Sequence, residues 1–112
     1  EERLRTLVEA SPDPIYLKDG DGRWLIVNRT GLASFDLHDS DWFGKDEATL
    51  SELKPAYKEA LLHCHATDEE AWAKGGVSRA DEVIVDTSGR SGHFDVIKSP
   101  TFWPDGRRKV RK

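Results

Sequence analysis

The chain has 112 residues, of which 34% are charged, and a formal net charge of -4. A chain of this length forms one domain with a modest core, and its mildly acidic balance gives it no overall attraction to nucleic acid or anionic membranes, which argues against DNA binding. The single cysteine, Cys64, excludes a disulfide framework and a multi-cysteine zinc site, so we expect a reducing, cytoplasmic setting.

The first ten residues predict an amphipathic helix. Leu4, Leu7 and Val8 stand at helical spacing among charged neighbours. Ser11 precedes a proline and is therefore pushed out of the helical region, which ends the helix. We divide the chain into an N-terminal flanking helix, 1–10, and a single domain, 11–112.

A β-hairpin and a helix cap follow. The apolar runs 15–18 and 23–27 flank the turn Asp19-Gly-Asp-Gly22, and glycine supplies the positive φ that hairpin turns require. Asn28 suits the N-cap of a helix over 29–35, because its side-chain oxygen accepts from a free amide of the first turn.

The middle of the chain predicts loops and then the longest helix. Residues 36–53 are polar and predict short helical turns and loops. Pro55 opens a helix that carries Tyr57, Leu61 and Cys64 on one stripe. Thr67-Asp-Glu-Glu70 matches a capping box, so we expect the helix to restart or kink there before the glycines 75–76 end it.

The last third predicts strands over 77–86 and 93–101, with a turn between them. A second turn at Pro104-Asp-Gly106 precedes the start of a fifth strand over 107–112. Hairpins at both ends and helices in the middle indicate an α+β fold.

The element order and five local motifs resemble a PAS domain of the sensory-box type. The motifs are Ala10-Ser-Pro-Asp-Pro-Ile-Tyr-Leu-Lys-Asp19, Asp21-Gly-Arg-Trp-Leu-Ile-Val-Asn28, Trp42-Phe-Gly-Lys45, Thr67-Asp-Glu-Glu-Ala-Trp72 and Pro104-Asp-Gly106. The resemblance implies an antiparallel five-stranded sheet with helices packed on one face, here with an incomplete last strand. It also implies a non-catalytic sensory or dimerisation module of a larger signalling protein.

The resemblance further implies partners. The output domain, in the same polypeptide, would belong to a histidine kinase, a cyclic-dinucleotide enzyme or a transcription regulator. The N-terminal helix would pair two copies, and the domain itself would contact neither nucleic acid nor membrane, even in a membrane-anchored parent.

A small-molecule pocket in this family lies between the inner sheet face and the helices. Because only one parity of each strand points inward, we predict that Leu17, Val27 and Val85 face the helices. A closed core of the same residues is the alternative, and Tyr16, Arg79 and Lys98 are the polar groups available to a pocket. The predicted lining comprises Leu17, Val27, Tyr57, Leu61, Cys64, Val85, Phe94 and Val96.

Cofactor-binding branches of the family require particular residues. Flavin light sensors carry a cysteine motif where this chain has Gly44-Lys-Asp-Glu-Ala-Thr-Leu50, so we predict no flavin. Haem-binding relatives take an axial histidine from the long helix, where His63 or His65 is the candidate. The two diverge by about 200° on a helix, so at most one of them could be a ligand. We expect His63 in solvent and His65 at the edge of the packed stripe, and we predict no haem. We predict no metal site and, without a catalytic motif, no enzyme activity.

Overall fold

The computed structural model describes residues 2–85 and 88–109, apart from the side chains of residues 80, 81, 94, 95 and 97. Within this part the fold is α+β, as predicted. A short 3-10 turn at Pro55–Tyr57 precedes the fourth helix. The elements are α1 (Glu2–Ala10), β1 (Tyr16–Lys18), β2 (Trp24–Val27), α2 (Arg29–Ser34), α3 (Glu47–Leu53), α4 (Lys58–Lys74), β3 (Ser78–Val85) and β4 (Ser91–Lys98).

The first hairpin forms as its sequence predicts. Strands β1 and β2 pair antiparallel, and the Asp19 carboxylate accepts from the backbone amides of Asp21 and Arg23 at 2.9 and 3.0 Å. Gly22 has a φ of 79°, in the region that glycine occupies without steric cost. The pairing shifts register between Leu17 and Lys18, because β2 has one extra residue, Leu25, between their partners; Trp24 and Val27, three positions apart, are therefore both buried.

Two helices differ from their predicted form. α3 is a regular helix in a stretch for which the sequence predicts only short turns and loops, and Asp46 caps it by accepting from the Thr49 amide at 2.9 Å. α4 runs without a break through the predicted restart at Thr67. The capping-box prediction is wrong because the Thr67 hydroxyl donates to Glu82 on β3, at 2.5 Å, instead of capping a new helix. Gly75, with a φ of 81°, ends α4 as predicted.

The strands of the described residues form two separate antiparallel pairs, β1 with β2 and β3 with β4. The predicted single sheet of five strands is not confirmed. Near the C-terminus, Phe102 and Arg108 form one isolated antiparallel bridge, and the Gly20 amide donates to the Lys109 carbonyl. The rest of the predicted fifth strand, 110–112, lies outside the described residues.

An aromatic core fixes the first hairpin to the helices. Trp24, Phe35 and Leu61 are fully buried, and the Trp24 ring lies 5.0 Å from that of Tyr16 and 5.9 Å from that of Phe35. Each buried aromatic contributes about 2–3 kcal/mol from removal of its apolar surface from water. Residues of both strand pairs and of the stripe on α4 therefore share one core, which also contains Val27, Leu37, Leu50, Tyr57, Cys64 and Ile84.

Candidate functional site

The inward parity predicted for β1 and β3 is wrong. On β3, Glu82 and Ile84 are buried, while Val83 and Val85 are 43% and 47% exposed. On β1, Tyr16 packs against the core and Lys18 contacts Glu47 and Asp68. Leu17, between them, therefore lies on the opposite face of the strand. Polar side chains occupy the inward positions because each finds a partner on another element.

Five other members of the predicted lining are buried or half-buried. Val27, Tyr57, Leu61 and Cys64 are buried in the core, and Val96 is half-buried. The side chain of Phe94 lies outside the described residues. Two hollows, of about 270 and 230 Å³, lie beside the turns at 103–107 and 20–22, and neither is lined by members of the predicted lining. The closed-core alternative is favoured by the packing of Val27, Tyr57, Leu61 and Cys64 in one core.

Five charged side chains instead meet beneath the sheet, and we call them the buried ion cluster: Lys18, Glu47, Asp68, Glu82 and Lys98. The ammonium of Lys18 on β1 donates to Glu47 on α3 at 3.0 Å and to Asp68 on α4 at 2.6 Å. The second oxygen of Glu47 accepts from the indole Nε1 of Trp24 at 2.9 Å. One lysine thus joins the first strand to both helices.

The second lysine joins the last strand to the same helix. Lys98 Nζ contacts Asp68, Glu82 at 3.1 Å and the hydroxyl of Thr67 at 2.7 Å. Cys64 completes this side of the buried ion cluster by donating its thiol hydrogen to Glu82 at 3.4 Å. In the described part of the chain every buried side-chain nitrogen and oxygen has a hydrogen-bond partner. The buried ion cluster is therefore a polar part of the interior in which every buried side-chain nitrogen and oxygen is hydrogen-bonded.

Burial and partners move the pKa values of these groups in opposite directions. Burial, partly offset by Lys18 and reinforced by Asp68, raises the pKa of Glu47. Burial also acts against the charged forms of Asp68 and Glu82, but their hydrogen bonds and the nearby ammonium groups outweigh it and lower both pKa values. Likewise, the carboxylates of Glu47 and Asp68 outweigh the burial of Lys18 and raise its pKa.

Cys64 is buried, whereas the two candidate haem ligands lie on the surface of α4. Burial, together with the neighbouring Glu82 carboxylate, raises the pKa of the Cys64 thiol to about 12. His63 and His65 are both exposed on α4, so neither imidazole lies in the core. No group of three or more histidine, cysteine or acidic side chains among the described residues is arranged to hold a metal ion.

A second polar site, around Asn28, anchors α1 to the sheet. The Asn28 amide oxygen accepts from Gly31, as the predicted helix cap, and also from Ile15, at 2.8 and 3.0 Å. Its amide nitrogen donates to the carbonyls of Val8 and Asp13 at 3.0 and 2.7 Å. Asn28 therefore ties α1, the approach to β1 and the start of α2 together.

Sequence reasoning identified only part of this interior. The sequence predicts Tyr16, Arg79 and Lys98 as inward polar groups. Tyr16 and Lys98 do bond to groups inside the domain, whereas Arg79 is exposed. Lys18, Glu47, Asp68 and Glu82 were missed as site residues. The sequence carries one signal for this cluster. Lys18 lies two positions after Tyr16 in a short apolar strand, so the two side chains lie on the same face of the strand.

Two antiparallel strand pairs over a core of aromatic and charged side chains, together with four helices among the described residues, define a small α+β domain. A model of the PAS fold matches residues 2–110, and the chain belongs to the PAS family. PAS domains typically serve in sensing and signalling. Among the described residues no helix has both the length and the apolar character needed to cross a membrane.

Solved structures show the same fold. The PAS domain of Bordetella pertussis BvgS superposes with a TM-score of 0.57 at 22% identity, covering 96% of this chain and 76% of that one. A PAS domain from Colwellia psychrerythraea gives a TM-score of 0.64 at 11% identity, covering 96% of this chain and 87% of that one. No curated protein matches the sequence.

Proposed function

We propose that this PAS domain is a regulatory module of a larger cytoplasmic signalling protein, and that two copies pair through α1. The observation that carries the proposal is the surface of α1. Leu4 and Leu7 are 40% and 71% exposed, while Val8, one residue on, is buried against the domain. The helix thus has one face held by the fold and an apolar face available to a second copy.

The anchoring of α1 supports a role in transmission. Besides the contact from Asn28 to Val8, the Glu9 carboxylate accepts from the Arg29 amide at 2.7 Å. These contacts connect the helix to β2 and α2. A rearrangement of the sheet would therefore move α1, and through it a histidine kinase, a cyclic-dinucleotide enzyme or a transcription regulator in the same polypeptide.

Measurement of solution mass tests the pairing. Light scattering on the 112-residue chain should give a dimer, and the double substitution Leu4→Gln/Leu7→Gln should weaken it at least about a hundredfold, since burial of one leucine contributes about 1.5–3 kcal/mol. Leu53→Gln is the matched control, because Leu53 on α3 is also exposed, at 48%. A monomer at high concentration, or an equal effect of the control, would contradict pairing through α1.

A second candidate, sensing of a small polar molecule beneath the sheet, is favoured by the two buried lysines. Since the interior is fully paired, a carboxylate ligand would have to displace Asp68 or Glu82 from Lys98. Malonate should then raise the melting temperature of the domain, and Lys98→Met should abolish the rise. An unchanged melting temperature would count against carboxylate sensing at this lysine.

A further inference from the structure

We propose that the buried ion cluster is a proton-binding site, in which Glu47 takes up a proton at a higher pH than an exposed glutamate does. The inference rests on the proposed function only for its signalling consequence. The starting point is a charge count: the buried ion cluster contains three carboxyl groups, on Glu47, Asp68 and Glu82, and two ammonium groups, on Lys18 and Lys98. When all five are ionised, one negative charge is left over in a buried place.

The geometry assigns the surplus to Glu47. Asp68 accepts from both lysines, and Glu82 is held by Lys98, Thr67 and the Cys64 thiol. Glu47 has only the Lys18 ammonium, which it shares with Asp68, and the neutral indole of Trp24.

Exposure points to the same residue. The Glu47 side chain is 0% exposed, against 18% for Asp68 and 6% for Glu82, so its charge is the least solvated of the three. An isolated buried carboxylate is neutralised by a proton when no cation compensates it. The groups that act directly on Glu47 are Lys18 from β1, Trp24 from β2 and Asp68 from α4. Tyr16 of β1 and Cys64 of α4 interact with Lys18, whereas Lys98 of β4 contacts Asp68 and Glu82 of β3.

Proton uptake would redirect Lys18. A hydronium ion of the solvent transfers its proton to one oxygen of the Glu47 carboxylate, so one O–H bond of hydronium breaks, one O–H bond forms on the carboxyl group, and a water molecule is released. The neutral group attracts Lys18 less, so the ammonium transfers its interaction to Asp68. The interaction of Lys18 with Glu47, which joins β1 to α3, becomes weaker, and its interaction with Asp68, which joins β1 to α4, becomes stronger. Acidification would thus change which helix holds the first strand.

The contribution of Glu47 to the free energy of unfolding depends on pH. The pKa of Glu47 is raised in the folded domain, so between its ordinary value and that raised value the folded chain binds more protons than the unfolded chain. The contribution of Glu47 to stability therefore falls as the pH rises through this window. The lowered pKa values of Asp68 and Glu82 act oppositely, because their contributions are lost as the pH falls through their folded values.

Carboxyl-carbon NMR on the 112-residue chain tests the site directly. The Glu47 resonance should titrate with a midpoint above that of Glu52, an exposed glutamate on the same helix. The indole N–H resonance of Trp24 should follow the same midpoint, since it is bonded to the titrating group. A Glu47 midpoint at or below that of Glu52 would overturn the proposal, and this measurement needs no variant.

Variants separate the site from its surroundings. Glu47→Gln should make the Trp24 indole resonance independent of pH in this range, whereas Glu52→Gln should leave its titration unchanged. Asp68→Asn should lower the Glu47 midpoint, because it removes a like charge and leaves Lys18 to Glu47 alone. Persistence of the Trp24 titration in Glu47→Gln would refute the assignment. Light scattering reports on α1 pairing independently, so either idea can fail while the other stands.

Discussion

Replacement of Asn28 by alanine should destabilise the domain far more than loss of an ordinary helix cap. The side chain is 1% exposed and makes four hydrogen bonds, to Val8, Asp13, Ile15 and Gly31. The Val8 carbonyl keeps a second donor, the Ser11 amide at 3.3 Å, and Asp13 is exposed to water. The principal losses are therefore the two amides that the Asn28 oxygen accepts from.

The structure sets the size of the effect. A buried amide left without an acceptor costs about 1–3 kcal/mol, so Asn28→Ala should lower the free energy of unfolding by about 3 kcal/mol. Asp46→Ala is the matched control, since Asp46 caps α3 through one hydrogen bond at a partly exposed position. Loss of such a cap costs about 1 kcal/mol. Urea denaturation measures both values.

The substitution Asn28→Asp separates the two roles of the residue. An aspartate keeps an oxygen for the amides of Gly31 and Ile15, but it places a second oxygen against the carbonyls of Val8 and Asp13. We expect α2 to stay capped while α1 is released, which trypsin cleavage within α1 would report. The reasoning is refuted if Asn28→Ala costs no more than Asp46→Ala, or if Asn28→Asp leaves α1 as protected as in the wild type.

Two further predictions concern close packing and thiol reactivity. Gly20→Ala would place a Cβ 2.6 Å from the Cβ of Arg108, so this overpacking should lower the free energy of unfolding by about 1–3 kcal/mol. In the control Gly76→Ala the new Cβ meets nothing within 4 Å, so the free energy of unfolding should change by less than about 0.5 kcal/mol. Equal urea midpoints for the two variants would contradict this prediction. Because its pKa is raised to about 12, the Cys64 thiol should react with Ellman's reagent at pH 8 on the order of a thousandfold more slowly than a thiol with the ordinary pKa. In urea, where the chain is unfolded, it should react fully. Rapid labelling of the folded chain would contradict the prediction, because it would show that the thiol is accessible.

Local features of the fold could be predicted from the sequence because their causes are local. The hairpin depends on glycine and aspartate within one turn, and the Asn28 cap depends on an amide three residues away. The family motifs lie on these same segments. α3 also carried a local signal, its cap at Asp46, but the polar composition around it hid the helix.

The interior could not be predicted in the same way, because its partners are distant in the chain. Lys18 and Asp68 are 50 residues apart, and Lys98 and Asp68 are 30 apart. Hydropathy assigns each of these side chains to solvent when it is considered alone. Only the ion pairs between them offset the cost of removing these charges from water. The periodicity of the sequence does not show which charged side chains will pair.

The parity of β3 shows what the buried ion cluster contributes beyond stability. Val83, Ile84 and Val85 are consecutive, so a slip of one residue would exchange one buried isoleucine for two buried valines and expose Glu82. Hydrophobic burial alone would favour the slipped form. That form would leave Lys98 with one carboxylate fewer and would remove one of the hydrogen-bond partners of the Thr67 hydroxyl. Since loss of one member of a buried ion pair is strongly unfavourable, the buried ion cluster selects the observed register even where its net contribution to stability is small.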